Sequence, residues 1–181
     1  AKNKRIFENC TIKKATILAF SLATLCGSYI MFRGGLPIII IGIMSIIAGI
    51  LYTGGPYPLG YHGLGDLFAF IFFGPVAVTG TYYVQTLEWS IPVLLMGCVP
   101  GLFSVALLCV NNLRDIKEDT ETGKRTLAVR FGATFVRIEF TLSIIIGSSL
   151  PLLIDIYQQN PSPNQWGLLT LIPALKLIYL I

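Results

Sequence analysis

Residues 111–132 read NNLRDIKEDTETGKRTLAVRFG and hold four of the nine acidic and five of the thirteen basic residues of a 181-residue chain. Apolar runs long enough to cross a bilayer flank the stretch, so its charges stand at the end of a membrane helix. Charge is costly there and is kept where it has a task. Asp115 and Asp119 lie four residues apart, with Asn111 and Asn112 one turn earlier. If the preceding helix runs on past Val110, then Asn111, Asp115 and Asp119 fall on one stripe, flanked by Asn112. Two carboxylates one turn apart repel each other by roughly a few tenths of a kcal/mol. A divalent cation reverses that sign. Mg²⁺ suits so sparse a donor set, because it takes one or two carboxylates and completes its shell with water and phosphate oxygens. Lys124 and Arg125 follow directly and suit a diphosphate, whose charge the metal would share. Lys117, Glu118 and Glu121 read as a solvated face.

Outward from this stretch the chain is lipid-like. It is 54% hydrophobic and 12% charged, with a mean hydropathy of +0.75. Those values belong to an integral membrane protein, and the expected fold is all-α, a polytopic transmembrane bundle formed by residues 1–181 as a single domain. Ala15–Phe32 is free of charge over 18 residues, about 27 Å as a helix. Arg33-Gly34-Gly35 signals a tight turn, and Leu36–Tyr52 is the second span. Asp66–Tyr83, Ile91–Val110 and Ile138–Ile156 follow, the fourth with a kink expected at Pro100. Leu168–Ile181 is a sixth apolar run, too short to cross comfortably. Both ends read as cuts, so the chain is expected to be part of a longer protein.

Six alternating spans place eleven of the thirteen Lys and Arg residues on one side, in the N-terminal segment and residues 111–137. By the positive-inside rule that side is the cytoplasm, with the protein in the cell (inner) membrane. The Gly- and Pro-rich loop before Asp66 falls on the same face. The net charge of +4 lies between spans, which suits membrane lipids and anionic substrates and argues against nucleic acid. Four cysteines without CxxC spacing, three of them in apolar runs, argue against a zinc site or a disulfide framework. His62 has no second histidine to ligate with and reads as a loop residue.

Two separated motifs carry a resemblance. NNLRDIKEDTETGKRTLAVRFG is similar to the second aspartate-rich motif of the intramembrane aromatic prenyltransferases, nearest to the 1,4-dihydroxy-2-naphthoate polyprenyltransferases of menaquinone synthesis. Tyr52-Thr-Gly-Gly-Pro-Tyr-Pro-Leu-Gly-Tyr-His-Gly-Leu-Gly-Asp66, followed by Gly80-Thr81-Tyr82-Tyr83, resembles the loop and helix that precede it there. The resemblance implies a bundle of nine helices, of which the six runs would be the third to eighth, around a cavity open to the cytoplasm. It implies transfer of a polyprenyl group from an isoprenyl diphosphate to 1,4-dihydroxy-2-naphthoate, releasing diphosphate and CO₂ and giving demethylmenaquinone. Asp115 and Asp119 would then be Mg²⁺ ligands, with Asn111, Asn112, Lys124 and Arg125 at the diphosphate. Tyr52 and Tyr61 would line the cavity. The family's first Asn-Asp-x-x-x-Asp motif does not occur here, so this 181-residue piece alone is expected to be inactive.

Asp66 has two readings: a helix-start acid favoured by the dipole, or a catalytic acid that orients the phenol or completes the metal network. Tyr52, Tyr57 and Tyr61 either shield a carbocation or anchor at the interface. Another aromatic acceptor, or a cation transporter or channel using Asp115 and Asp119, are the alternatives. A transporter calls for charges inside several spans, whereas the span interiors read as uncharged.

Overall fold

The computed structural model describes residues 2–54 and 58–158, with side chains from Thr11 onward except at Thr53. Among these residues the regular structure is helical throughout. The chain clusters into two compact units, residues 1–40 and 41–181.

The first helix, α1, is recorded as Lys2–Thr53 and is interrupted at Gly35, whose φ of 64° and ψ of −151° lie outside helical space. Pro37 explains the interruption. Its ring disfavours the α region for Leu36 and clashes with the carbonyl four residues back, so the preceding glycine absorbs the change. The turn expected at residues 33–35 is therefore present as a break. Within the second unit, a 3₁₀ turn at Leu59–His62 closes on Gly63 in the left-handed region, at φ 72°. Helix α2 (Gly65–Ile71) passes through a π-helical segment at Phe72–Val76 into α3 (Ala77–Thr86). Pro75 has no N–H to continue the ladder, and Gly74 bends away at φ −109°, ψ −109°. Leu87, in the left-handed region, ends α3 with its N–H donated to Tyr83 O at 2.7 Å. The Tyr83 and Trp89 rings stack at 4.5 Å in the turn that follows.

Helix α4 (Ile91–Arg114) runs as one helix through Pro100, so the expected kink does not interrupt it. Asp115 separates α4 from the short α5 (Ile116–Glu121), and α6 (Leu127–Gln158) follows with an irregular residue at Gly132. Among the described residues four helices, Thr11–Tyr52, Gly65–Thr86, Ile91–Arg114 and Leu127–Gln158, are long and apolar enough to cross a membrane. Thr11–Tyr52 holds both of the first two expected runs in 42 residues. Leu168–Ile181 lies outside the described residues. The fifth expected span is lengthened at its start: residues 127–158 are recorded as one helix, but Gly132, at φ 82° and ψ 171°, interrupts it as Gly35 interrupts α1, so the unbroken run begins at Ala133, five residues before Ile138.

Glycine-to-backbone contact joins α2 and the π segment to α4. A Cβ at Gly74 would stand 2.7 Å from Gly101 Cα, and one at Gly101 would stand 2.7 Å from Phe70 O. Gly97 approaches Pro75 Cα in the same way, at 2.9 Å. Such small residues let helices touch where lipid removes the hydrophobic drive to associate. The α4–α6 interface is filled by Val105, Ala106, Cys109, Val136 and Phe140, with Ala128 from the first turn of α6. Large apolar side chains such as Ile91 and Ile156 point outward, 73% and 65% exposed, as lipid-facing residues do.

Candidate functional site

The charged stretch folds as a helix end, a bend and one short helix. Helical bonding nearly continues across the bend: Asp115 N–H donates to Asn111 O at 3.0 Å, and Asp119 N–H to Asp115 O at 2.8 Å. The expected stripe is thereby retained in register, although Asp115 itself leaves helical geometry. Gly123, at φ 74°, turns the chain back so that Lys124 N–H donates to Asp119 O at 2.8 Å.

The two carboxylates have different surroundings. Asp115 takes Nε and a terminal nitrogen of Arg114 on its two oxygens, at 2.7 and 2.8 Å. The Arg114 hydrogen bonds hold its carboxyl below the usual carboxylate range; partial desolvation opposes this, and the charges of Arg114 and Lys124 assist. Asp119 is buried. Lys124 Nζ donates to its Oδ1 at 3.1 Å, while its Oδ2 is buried with no partner. The mutual repulsion expected of this pair is thus offset by a separate cation on each. Asn112 is buried beside them in sequence, whereas Arg125 is exposed.

Arg125 N–H donates to Tyr61 O at 2.8 Å, and a Cβ on Gly63 would stand 2.8 Å from Arg125 O. The Gly-rich loop and the charged stretch therefore meet at one end of the helices, on a common face as the charge count implies. Tyr61 is exposed there, and His62 Nδ1 bonds Pro58 O at 2.8 Å within its own turn. Tyr57 lies outside the described residues. Tyr52 and Asn111 line a cavity of about 700 Å³, whose walls include Phe68, Phe72, Ser104 and Leu108.

Asp66 is not among the residues that line this cavity. It is the second residue of α2, 5% exposed, and its Oδ1 is buried without a partner. Its carboxylate converges with Cys109 of α4 and Glu139 of α6. Sequence reasoning placed Glu139 near a span end and the span interiors free of charge. Glu139 lies two turns past the Gly132 break in α6, and it borders a smaller apolar cavity of about 220 Å³. A carboxylate in an apolar run was the signal that would have found it. Arg114 was likewise missed as the partner of Asp115.

A family model matches residues 8–181 and is described as the UbiA prenyltransferase family. The chain belongs to the UbiA prenyltransferase family. With its four apolar helices, it is an integral membrane protein. A relative in Escherichia coli (strain K12), named 1,4-dihydroxy-2-naphthoate octaprenyltransferase, is 37% identical over 183 residues, covering 97% of this chain and 58% of that protein. Relatives of the same name in Haemophilus influenzae and Mycobacterium tuberculosis are 50% identical over 93 residues and 39% identical over 128. Those matches cover 51% of this chain and 30% of the first relative, and 71% of this chain and 44% of the second. The chain thus spans at most 58% of these relatives' length. No solved structure matches it.

Proposed function

We propose that this UbiA-family chain carries the second aspartate motif of a Mg²⁺-dependent aromatic polyprenyltransferase. The reaction would join the polyprenyl group of an isoprenyl diphosphate to 1,4-dihydroxy-2-naphthoate, with loss of diphosphate and CO₂, giving demethylmenaquinone. The carrying observation is Asp119: a buried carboxylate with one oxygen on Lys124 and, among the described residues, no partner for the other, in a chain similar to relatives that bear that activity in their names.

The donor set fits a hard divalent ion. Asp119 Oδ2 is a buried acceptor without a donor. The Arg114–Asp115 pair is solvent-exposed on the arginine side, where an ion pair is weak enough to yield to a stronger ligand. Asp115 and Asp119 would hold Mg²⁺, which supplies neutralising charge to the departing diphosphate. Lys124 and Arg125 place further positive charge at the same end, and Asn111 and Asn112 offer amide donors to phosphate oxygens. Tyr52, Phe68 and Phe72 line the cavity with aromatic faces, which suit an allylic cation kept from water. Asp66, buried at the start of α2 and outside the lining of that cavity, keeps both readings, a helix-start acid or a catalytic acid that orients the phenol.

The same reading places the protein in the cell (inner) membrane with residues 111–137 cytoplasmic, and takes its six apolar runs as part of a nine-helix bundle. The test is prenyl transfer in membranes that contain the full-length protein, given octaprenyl diphosphate and 1,4-dihydroxy-2-naphthoate. Product is expected with Mg²⁺, and EDTA or Asp119→Asn should remove it by about a hundredfold or more. Undiminished product under EDTA refutes the metal role. No product from the intact protein refutes the reaction.

A further inference from the structure

Asp66, Cys109 and Glu139 lie far apart in sequence and on three different helices, α2, α4 and α6. A carboxylate oxygen of each acid and the Cys109 sulfur nevertheless lie within 4.8 Å of one another. Asp66 is 5% exposed and Cys109 fully buried. Asp66 Oδ1 and Glu139 Oε2 are both buried without a hydrogen-bond partner. Among the described residues neither carboxylate has a salt-bridge partner. Two acids sharing a low-dielectric site without a counter-charge are strongly unfavourable, so something must neutralise them.

We propose that these three residues bind a divalent transition-metal ion of the zinc class, at a site separate from the aspartate motif. The donor chemistry selects the ion: a thiolate with two carboxylates suits Zn²⁺, whereas Mg²⁺ prefers an all-oxygen shell. Donors about 2.0–2.3 Å from a tetrahedral zinc stand roughly 3.5 Å apart. With the donors no more than 4.8 Å apart, the closure needed is at most about 1.3 Å. The ion offsets two of the charges and leaves a fourth position for water or another ligand. Because its ligands come from three helices, it acts as a staple across the bundle, binding the folded chain and not the unfolded one.

Co²⁺ makes the site visible. The detergent-solubilised protein, stripped with EDTA, is titrated with Co²⁺. One equivalent is expected to produce a thiolate-to-cobalt charge-transfer band, which Zn²⁺ abolishes and Mg²⁺ leaves in place. Cys109→Ser should remove the band, and Asp66→Asn or Glu139→Gln should weaken Co²⁺ binding by more than about tenfold. Asp119→Asn should keep it. A wild-type protein with no such band overturns the proposal, since protons would then be what neutralises the trio. A band that survives Cys109→Ser, or disappears in Asp119→Asn, overturns it as well by placing the metal elsewhere. None of these readings depends on prenyl transfer; each variant is scored only where its thermal unfolding transition matches that of the wild type, and the wild-type band, measured directly, decides the proposal whatever the variants do.

Discussion

Lys124→Met isolates the energetics of the aspartate motif. The Asp119 side chain is 8% exposed and that of Lys124 is 32% exposed, with Nζ 3.1 Å from Oδ1. Removing one partner of a fully buried pair costs about 3–5 kcal/mol, because the other charge is left uncompensated. Here the lysine retains water over a third of its side chain, and an exposed pair is worth about 0–1 kcal/mol. The expected loss therefore lies between the two, at about 2 kcal/mol. Asp119 already has one oxygen without a donor, so the substitution strips its remaining side-chain partner. Adding Asp119→Asn removes the charge, and the double variant should recover about 1 kcal/mol relative to Lys124→Met alone. The assay is the unfolding midpoint in mixed micelles, converted to free energy for the two single variants and the double. Strict additivity of the two single losses would refute the reasoning, as would a Lys124→Met loss below about 0.5 kcal/mol.

Gly101→Ala should destabilise by about 1–3 kcal/mol, since its methyl would meet Phe70 O at 2.7 Å and backbone cannot rotate away; the same unfolding assay checks it. Gly63→Ala places a side chain at φ 72° and 2.8 Å from Arg125 O, so a loss of about 1–3 kcal/mol is expected. Amide exchange at Tyr61 and Arg125 should accelerate with it. For pH, the Arg114 hydrogen bonds depress the folded-state pKa of Asp115. Their contribution is therefore present above the usual carboxylate range and lost as pH falls through the depressed value. Arg114→Ala should raise the Asp115 carboxyl pKa measured by ¹³C titration, and the stability difference between variant and wild type should shrink to nothing in acid.

Much of this arrangement is legible in the residues because membrane helices leave a strong mark. Uncharged runs locate the spans from residue 65 onward to within a turn at most ends, and the Gly-Gly before Pro37 marks the break in α1. The common face of the loop and the charged stretch follows from alternation alone, and the Arg125–Tyr61 bond bears it out. Three things were not legible. Helix α6 is recorded from Leu127, and the non-helical Gly132 rather than the pattern of charge sets where its unbroken run to Gln158 begins. Asp66 reads locally as a helix-start acid, while its neighbours Cys109 and Glu139 come from distant helices. The close approach of Gly97 and Gly101 to Pro75 and Gly74 has only the i, i+4 glycine pair as its mark, a small-residue signal that names no partner helix. In each case a long-range partner settled what local propensity left open.

Helix α4 supplies Leu107, Leu108 and Asn111 to the large cavity and Cys109 to the buried acids. Leu108 and Cys109 are consecutive, about 100° apart around the axis. One angle of rotation about α4 therefore sets both the width of the cavity and the gap between thiol and carboxylates. A change at the glycine contact that turned the helix by even a small amount would retune both places together. The two regions are thus mechanically linked: a substitution that widens the cavity by turning α4 also moves the Cys109 thiol relative to the two acids.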